Sequence, residues 1–417
     1  MLRLPNTALA RRRRIRALIV LTFVALLVAV LATQGGGKAT PAKVTATTGP
    51  GARGIQPPGP TALAGAGCLA APANPAPGVP PNVDCHNVYA AAGRNELAAQ
   101  VAKDPPRVYV PNLRSNTVSV IDPATDKVIQ TIPVGGEPQH VVPSWDLKTL
   151  WVNSDKGNTV TPINPQTGAA GAPIAVEDPY NLYFTPDGTR AVVMAEALQK
   201  MDFRDPQTMA LLHSLPVPCS GLNHMDFSPD GRSAVASCEF DGRLLLIDMT
   251  NGQEKVVQSM PIGGMPQDVK LAPDGSVYYV ADMQLDGIHV IDAVTFRMLD
   301  FIKTGKGAHG LYPSRDATEL YISNRGEGSV SVLSFATRKL RAKWVFNKGK
   351  GSPDMGGVSA DGKTLWLSGR LDNEIYAINT ETGTLNAPPI RVGREPHGAC
   401  VWPQPGRYSL GHTGVMR

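Results

Sequence analysis

The sequence predicts an all-β protein, a seven-bladed β-propeller of four-stranded antiparallel blades. Two turn motifs recur along the chain in phase with each other, and short apolar runs lie between them. Apolar runs of this length, separated by Gly, Pro, Asn and Asp, are typical of strands rather than helices. The 42 glycines and 37 prolines among 417 residues also favour many turns over long helices.

The first motif is a strand that usually ends in Asp or Asn, followed by a turn that ends in Thr. Asp and Asn suit this turn because their short side chains accept hydrogen bonds from the following backbone, and Pro presets φ. The seven copies lie 41–45 residues apart, which is the length of a four-stranded propeller blade. They occupy residues 121–125, 163–167, 204–208, 247–250, 291–295, 333–337 and 378–382.

The second motif is a Pro-Asp-Gly hairpin, which we call the PDG hairpin, followed by a short β-rich run. Clear copies stand at residues 186–188, 229–231 and 273–275, with Ala-Asp-Gly at 360–362. The order of the two motifs divides each repeat into strand A, the PDG hairpin, strand B, a loop, strand C, the Asp/Thr turn and strand D. Four antiparallel strands in this order predict one propeller blade.

The two ends of the repeat region are complementary. The repeats begin at residues 107–110 with a B strand that has no A strand before it, and residues 398–402 form an additional A strand. We therefore expect the C-terminal A strand to join the N-terminal B, C and D strands in one blade. Closing the ring in this way removes an exposed sheet edge. The predicted propeller domain is 106–417.

The N-terminal residues 1–33 are predicted to be a signal peptide or an N-terminal membrane anchor. A cluster of arginines at 11–16 precedes a run of 16 apolar residues at 17–32. This run is shorter than the ~20 residues of a comfortable membrane span, and residues 30–32 are compatible with cleavage, so both alternatives stay open. Arginines on the N-terminal side predict that everything after residue 33 is exported, either anchored and facing the outside or periplasm, or secreted.

Residues 34–105 are predicted to be a stalk and lead-in. The part up to about residue 83 is rich in Gly, Pro, Ala and Thr. Such a composition does not bury enough apolar area to offset the entropy lost on ordering. The net charge of the chain is +5, but residues 1–33 carry six arginines and no acid, so the remainder has a net charge of −1. A nucleic-acid partner is therefore not expected, because it requires a basic surface.

Four segments resemble a known repeat. They read Tyr-Val-Pro-Asn at 109–112, Trp-Val-Asn-Ser at 151–154, Tyr-Val-Ala-Asp at 279–282 and Tyr-Ile-Ser-Asn at 321–324. They resemble the repeat that names the YVTN (YncE-like) seven-bladed propellers, and the resemblance covers about residues 107–412. It implies the fold. It does not select a chemistry, because related propellers range from exported binding proteins to lactonases and the haem d1 domain of nitrite reductase.

Polar residues mark the starts of the predicted A strands. In a propeller, strand A starts on the face where strand B ends, so these residues surround one mouth of the central channel. Those at or next to the starts are His140, Asn181, His224, Asp268, His309, Asp354 and His397. Four of these seven are histidines in a chain that has eight, and His412 reaches a comparable place if the last residues follow the ring. The B-strand ends are expected to add Asn112, Asn153, Glu196, Glu239, Asp282, Asn324 and Arg370.

This concentration of imidazoles has two interpretations. In the first, a metal ion, copper or iron, is bound by His140, His224, His309 and His397, with Glu196, Glu239, Asp268 and Asp354 nearby. The geometry is similar to that of the four-His iron in carotenoid-cleaving oxygenases and of the copper in methanethiol-oxidase-like propellers. In the second, the polar residues bond the tapering A strands and trapped water. His86, His213 and His289 fall outside the ring and are interpreted as ordinary surface or strand residues.

The five cysteines give two candidate disulfides. Cys219 precedes an A strand and Cys238 ends the B strand of the same blade, so both lie on the mouth face within bridging distance. Cys68 and Cys85 form a second candidate pair. Cys400 lies in an inner strand and is expected to be a small apolar filler. Export makes both bonds chemically possible.

Three functions are compatible with the sequence. The first is a membrane-tethered binding module that recognises a small molecule or a cell-envelope partner through the His/Asp-lined mouth. The second is a copper- or iron-dependent oxidoreductase, and the third is a lactonase-like hydrolase with an oxygen-ligand calcium site. Covalent c-type haem is excluded because the chain contains no Cys-x-x-Cys-His. Neither a Gly-x-Ser-x-Gly nor a phosphate-binding loop is present.

Overall fold

The computed structural model describes residues 75–417 as seven four-stranded antiparallel sheets arranged as the blades of a propeller. The predicted signal or anchor (1–33) and the first part of the stalk lie outside the described residues. In the described part, the helical structure consists of short 3₁₀ segments: Ala90–Ala92, Leu113–Ser115, Thr250–Gly252 and Asn347–Gly349. No helix in residues 75–417 has the length and apolar character needed to cross a lipid bilayer.

The strands follow the predicted A-B-C-D order. Blades 1 to 4 contain β1 (Arg107–Asn112), β2 (Thr117–Asp122), β3 (Lys127–Pro133); β4 (Pro138–Pro143), β5 (Leu150–Ser154), β6 (Thr159–Ile163), β7 (Ile174–Ala175); β8 (Pro179–Phe184), β9 (Ala191–Ala195), β10 (Lys200–Arg204), β11 (Leu211–Pro216); β12 (Leu222–Phe227), β13 (Ser233–Cys238), β14 (Arg243–Asp248) and β15 (Lys255–Pro261).

Blades 5 to 7 repeat the pattern. They contain β16 (Pro266–Leu271), β17 (Val277–Asp282), β18 (Gly287–Asp292), β19 (Met298–Lys303); β20 (Ala308–Pro313), β21 (Glu319–Asn324), β22 (Ser329–Ser334), β23 (Lys339–Val345); β24 (Pro353–Val358), β25 (Thr364–Gly369), β26 (Glu374–Asn379) and β27 (Ile390–Arg391). The last strand, β28 (Cys400–Trp402), belongs to blade 1.

The ring closes as predicted. Strand β28 pairs antiparallel with β1, with Trp402 opposite Arg107 and Cys400 opposite Tyr109. Just before it, the backbone N–H of His397 donates to the carbonyl of Pro111 at 3.0 Å. The C-terminal strand therefore fills the inner position of blade 1, and no unpaired edge of β1 remains.

Both repeated motifs act through their Asp or Asn side chains. In the Asp/Thr turn of blade 5, Asp292 Oδ1 accepts from the backbone N–H groups of Val294 and Thr295 at 3.0 and 2.7 Å. In the Ala-Asp-Gly hairpin, Asp361 Oδ1 accepts from Ser359 Oγ at 2.6 Å and from the Lys363 N–H at 3.0 Å. These contacts satisfy turn backbone that has no ladder partner, which explains why the short acidic side chain repeats.

Both faces of each blade are covered by neighbouring blades. Inner strands β12, β16 and β24 are buried at every residue, whereas outer strand β3 is exposed at all but one. Between blades 3 and 4, for example, Met194 and Phe203 pack with Met225, Phe227 and Leu245. This burial on both faces explains why the B and C strands contain continuous apolar runs.

Residues 75–105, the described part of the predicted stalk and lead-in, lie across the PDG-hairpin face. Their backbone N–H groups donate to hairpin carbonyls of three blades: Ala76 to Asp230, Val88 to Pro273 and Asn95 to Ala360, at 2.8–2.9 Å. Val88, Tyr89, Ala92 and Val101 are buried there. The apolar residues after position 83 thus fix this part of the chain to the propeller.

The last residues, 403–417, enter the channel from the same side. The Phe184 N–H donates to the Leu410 carbonyl at 2.9 Å, and the His412 N–H donates to the Leu182 carbonyl at 2.8 Å. Arg417 Nη2 donates to the buried Asp226 Oδ1 at 2.9 Å. We call residues 403–417 the channel segment. Together with residues 75–105 it closes the PDG end of the channel.

Trp402 is a sensitive position for ring closure. Its side chain is 1% exposed, and its indole Nε1 donates to Asp104 Oδ2 at 3.0 Å. We expect Trp402→Ala to lower the free energy of unfolding by about 3–5 kcal/mol, because a large buried aromatic side chain is removed. Urea unfolding monitored by circular dichroism measures this change. Trp402→Phe retains most of the volume and should cost clearly less; an equal cost in the two variants would contradict a packing role.

Candidate metal centre

A β-bulge near the start of each of the six N-terminal A strands aims polar side chains at the axis. The A-to-B register shifts beside the ring positions, for example between Pro138 and His140 in blade 2 and between Ala308 and Leu311 in blade 6. A bulge leaves one residue without a ladder partner and re-aims its side chain. In four of the six strands a Pro stands directly before the shift: Pro138, Pro179, Pro266 and Pro353.

Serines of the neighbouring strands bond the backbone that the bulges leave open. Ser237 Oγ accepts from the His224 N–H at 3.1 Å, and Ser368 Oγ accepts from the Met355 N–H at 3.3 Å. Ser323 Oγ accepts from the Gly310 N–H at 2.8 Å and donates to the Asp354 carbonyl at 2.8 Å. In these three blades the bulged geometry is thus held in part by serine side chains.

Five imidazoles converge on the channel axis. The ring of His140 lies 4.8 Å from that of His397, 5.8 Å from that of His224 and 5.1 Å from that of His412. His309 lies 6.1 Å from His397 and 6.5 Å from His224, between ring centroids. The four predicted ring histidines are brought together, and the channel segment contributes His412 as the fifth. All five are at most 2% exposed.

Each Nδ1 atom has a polar neighbour that orients its ring. Nδ1 of His140 lies 3.0 Å from the Tyr180 carbonyl, and Nδ1 of His397 lies 3.0 Å from Gln139 Oε1. Because a backbone carbonyl only accepts, His140 carries its proton on Nδ1 and a lone pair on Nε2. Nδ1 of His309 lies 2.9 Å from Asp354 Oδ1.

Asn181 connects the other two imidazoles. Its side-chain amide nitrogen lies 3.1 Å from Nδ1 of His224 and 3.1 Å from Nδ1 of His412. An amide N–H only donates, so this contact places the lone pair on Nδ1 and the proton on Nε2 of both rings. Nε2 becomes a ligand atom when the amide is turned so that Oδ1 accepts from both Nδ1–H groups. This one amide of blade 3 therefore sets the orientation and the tautomer of an imidazole from blade 4 and of one from the channel segment.

The Nε2 atoms have no hydrogen-bond partner. This holds for His140, His224, His397 and His412, whose Nε2 atoms are buried in the described part of the chain. Burial lowers the pKa of His140 to about 4 and holds the pKa of the other three well below 6.5. At neutral pH these are uncharged imidazoles, which is the form that binds metal ions. Four orphaned buried nitrogens are costly unless something occupies them.

Two groups of ligand atoms are close enough to hold an ion. In the first, ligand atoms of His224, Asp268 and His412 lie within 4.8 Å of one another. Each of the three has an unpartnered buried atom: the two Nε2 atoms and Oδ1 of Asp268. Burial raises the pKa of Asp268. Its other oxygen accepts from the Leu311 N–H at 2.9 Å, which fixes the carboxyl group in place.

The second group contains His309, Asp354 and His397, also within 4.8 Å of one another. Here the carboxylate already has cationic neighbours, Arg325 at 3.3 Å and Arg370 at 3.4 Å. Burial raises the pKa of Asp354, but the neighbouring groups of His309, Arg325 and His397 lower it by a larger amount. The pKa of Asp354 therefore lies well below its usual range. The first group is therefore the better cation site of the two.

The predicted glutamates lie elsewhere in the mouth. Neither Glu196 nor Glu239 belongs to a group of candidate ligands within the described residues. Glu239 Oε2 accepts from Asn223 Nδ2 at 2.6 Å. Burial and then the charges of Glu239, Asp155 and Asp178 raise the pKa of Glu196 to about 8. The half-buried Tyr180 lies beside the imidazoles, with its ring 5.6 Å from that of His140.

Three predicted mouth residues bond within their own blades instead. Asn112 Nδ2 donates to Ser119 Oγ at 3.0 Å, and Asn324 Nδ2 donates to Ser331 Oγ at 3.0 Å. Asp282 Oδ2 lies 3.0 Å from Nε2 of His289. These three residues are the directly paired last residues of their B strands, so their side chains face strand C, which residue counting did not resolve.

The remaining predictions concern the cysteines and the histidines outside the ring. Cys219 and Cys238 form a disulfide with a Cα–Cα distance of 5.9 Å, close to His224 in the chain. Cys68 lies outside the described residues, so the Cys68–Cys85 pairing stays a prediction. Cys400 is buried and free. His213 Nε2 lies 2.6 Å from Glu254 Oε2, remote from the axis in strand β11.

The depressed imidazole pKa values predict acid sensitivity of the metal-free protein. His140 has a pKa of about 4 when folded and 6.5 when exposed, so below pH 6.5 the unfolded chain binds more protons. The free energy of unfolding should therefore fall as the pH drops from about 6.5 to 4. Urea unfolding at a series of pH values measures this slope. His140→Gln should flatten it, and an unchanged slope would contradict the assignment.

Comparisons with known proteins agree on the fold. A family model described as YNCE-like beta-propeller matches residues 66–405. Hydrazine synthase from Kuenenia stuttgartiensis is similar at 21% identity and a TM-score of 0.56, covering 65% of this chain and 92% of that chain. A lactonase-like propeller from Bacteroides uniformis has 17% identity and a TM-score of 0.58, covering 72% and 100%.

A third similar structure is dihydro-heme d1 dehydrogenase NirN, with 17% identity and a TM-score of 0.51, covering 67% of this chain and 62% of that chain. At these identities the likenesses show the fold alone. No curated protein matches the sequence. The family model spans most of the chain, and the seven four-stranded blades have the architecture that it describes. The chain therefore belongs to the YNCE-like β-propeller family.

Proposed function

We propose that the protein is an exported, metal-dependent oxidoreductase whose centre is a copper or iron ion on the propeller axis. His224, His412 and Asp268 hold the ion, and the imidazole of His140 lies next to this group, with its ring 5.8 Å from that of His224 and 5.1 Å from that of His412. The observation that carries the proposal is the set of unpartnered buried atoms, Nε2 of the three histidines and Oδ1 of Asp268. A bound cation satisfies the atoms of His224, His412 and Asp268 together, once the Asn181 amide presents Oδ1 to both Nδ1–H groups and leaves the lone pairs on Nε2.

The donor set favours a transition metal over calcium. Imidazole suits copper, iron and zinc, whereas calcium takes six to eight oxygen ligands. Both candidate groups in residues 75–417 contain two histidines and one aspartate. Two histidines and one carboxylate leave open positions on an iron ion, and neutral imidazoles also suit copper. This donor set argues against the lactonase-like alternative.

The surroundings are suited to a redox centre. The imidazoles are buried and therefore excluded from water. Residues 75–105 and 403–417 cover the PDG side of the channel, so the mouth is the side from which a substrate enters. Rigid hydrogen bonds to the Nδ1 atoms keep the ligand positions fixed when the charge of the ion changes. A fixed ligand set of this kind lowers the reorganisation that accompanies electron transfer.

Export is proposed on two grounds. The arginine cluster followed by 16 apolar residues predicts a signal or anchor. The Cys219–Cys238 disulfide is compatible with an oxidising compartment. A binding role for the mouth fits the same placement, because a substrate enters through that face.

Metal analysis tests the centre. The protein is produced through an export pathway, stripped with a chelator and reloaded with copper, iron or zinc, and its metal content is measured by mass spectrometry. We expect one copper or iron per chain. The variants His224→Ala and His412→Ala should lower the affinity more than about 100-fold. The matched control His86→Ala removes an exposed imidazole on the opposite face and should bind metal normally.

Electron paramagnetic resonance tests the redox part. Bound copper(II) should show nitrogen hyperfine coupling, and its signal should disappear on reduction and return on oxidation. Retention of metal by a His224→Ala/His412→Ala double variant would contradict the site. Binding of zinc alone would contradict redox chemistry while leaving the site in place.

A further inference from the structure

Two guanidinium groups lie together at the channel mouth. Arg325 and Arg370 follow the B strands of blades 6 and 7, and their side chains are 20% and 22% exposed. Each approaches the buried Asp354 through a single Nη1 atom, at 3.3 and 3.4 Å. These contacts are long and single, whereas arginine pairs most strongly with a carboxylate through two parallel N–H groups. Both arginine side chains therefore keep N–H donors that Asp354 does not bond.

The remaining N–H groups of the two arginines have little to bond. A guanidinium carries five N–H donors. Nη2 of Arg325 lies against Sδ of Met283, and a thioether is a weak acceptor. For the side chain of Arg370, Asp354 is the one hydrogen-bond acceptor found among residues 75–417. Donors of this kind at a partly exposed mouth are available to a ligand.

The charges around Asp354 do not balance. The carboxyl group of Asp354 contributes at most one negative charge. The two guanidiniums contribute two positive charges. The adjoining imidazoles of His309 and His397 add no negative charge in either protonation state. One positive charge is left uncompensated on this side of the mouth, and the glutamates Glu196 and Glu239 belong to blades 3 and 4 on the other side.

The arginine pair adjoins the imidazole cluster. Asp354, which both arginines contact, lies 2.9 Å from Nδ1 of His309 and 3.7 Å from Nε2 of His397. The charge of Arg370 also acts on His140 and Tyr180. When the two guanidiniums bind one end of a ligand, the adjoining part of that ligand therefore lies beside the imidazoles at the axis.

We propose that Arg325 and Arg370 form a binding site for a monoanionic carboxylate, and that this carboxylate belongs to the substrate of the metal centre. A carboxylate fits the planar fork of a guanidinium, and a single negative charge neutralises the excess. The assignment of the ligand as substrate rests on the proposed function. The anion site itself does not.

Calorimetric titration of the metal-free protein tests the site without reference to metal. The probes are acetate and benzoate as carboxylates, benzamide as the neutral analogue of benzoate, and inorganic phosphate and sulfate as anions of higher charge. We expect the carboxylates to bind, benzamide not to bind, and affinity for benzoate to fall with rising salt. Preferential binding of phosphate or sulfate, or equal binding of benzoate and benzamide, would overturn the proposal.

Variants locate the site. Arg325→Gln and Arg370→Gln keep much of the side-chain volume and should each weaken benzoate binding at least tenfold. The control Arg94→Gln removes an exposed guanidinium that pairs with Asp316 on the PDG face, and it should bind benzoate normally. Thermal unfolding shows whether each variant is folded. Unchanged benzoate binding in folded Arg325→Gln/Arg370→Gln protein would place the anion elsewhere.

The two proposals fail separately. A protein that binds benzoate through these arginines but binds no copper or iron retains the anion site and loses the metal centre. A protein that binds metal through His224 and His412 but binds no carboxylate retains the centre and loses the anion site.

Discussion

The starts of the inner strands share one axis, and the rest of the site depends on this convergence. Residues separated by more than 250 positions, such as His140 and His397, become neighbours with ring centroids 4.8 Å apart. Seven A strands leave little room at the axis, so water is excluded and the imidazoles are buried. Burial depresses their pKa values, and neutral imidazoles with unpartnered Nε2 atoms follow from it.

Closure of the ring and construction of the site use the same segment of chain. Strand β28 completes blade 1, His397 lies just before it, and the channel segment that follows supplies His412. The backbone of the channel segment is fixed by hydrogen bonds to β8, the strand that also carries Asn181. The amide of Asn181 thus orients two imidazoles, those of His224 and His412. Its strand, β8, also anchors the channel segment, which carries His412.

The two aspartates of the axis have different surroundings. The A-to-B pairing makes Asp354 equivalent to Gln267, so the two carboxylates occupy adjacent positions of the repeat. Asp268 keeps one oxygen unpartnered, with the nearest cation, Lys270, at 3.8 Å. Asp354 is approached by His309 and by two arginines. Asp268 can therefore bind a cation, whereas the charge of Asp354 is already compensated by the arginines that it holds at the mouth. The difference arises from the residues of the B–C loops, which place Arg325 and Arg370 next to Asp354.

The sequence by itself determined the number of blades, the strand order, the closing strand and the ring of polar A-strand starts. These follow from local rules: turn chemistry repeats with a fixed period, and each repeat adds a strand start to the same mouth. The tertiary structure decided which side chains meet. Asn112 and Asp282 face their own blades because strand register, and not residue counting, sets side-chain direction. Asn181 as the link between His224 and His412, and the placement of two arginines on one aspartate, depend on packing between blades, which no local pattern encodes.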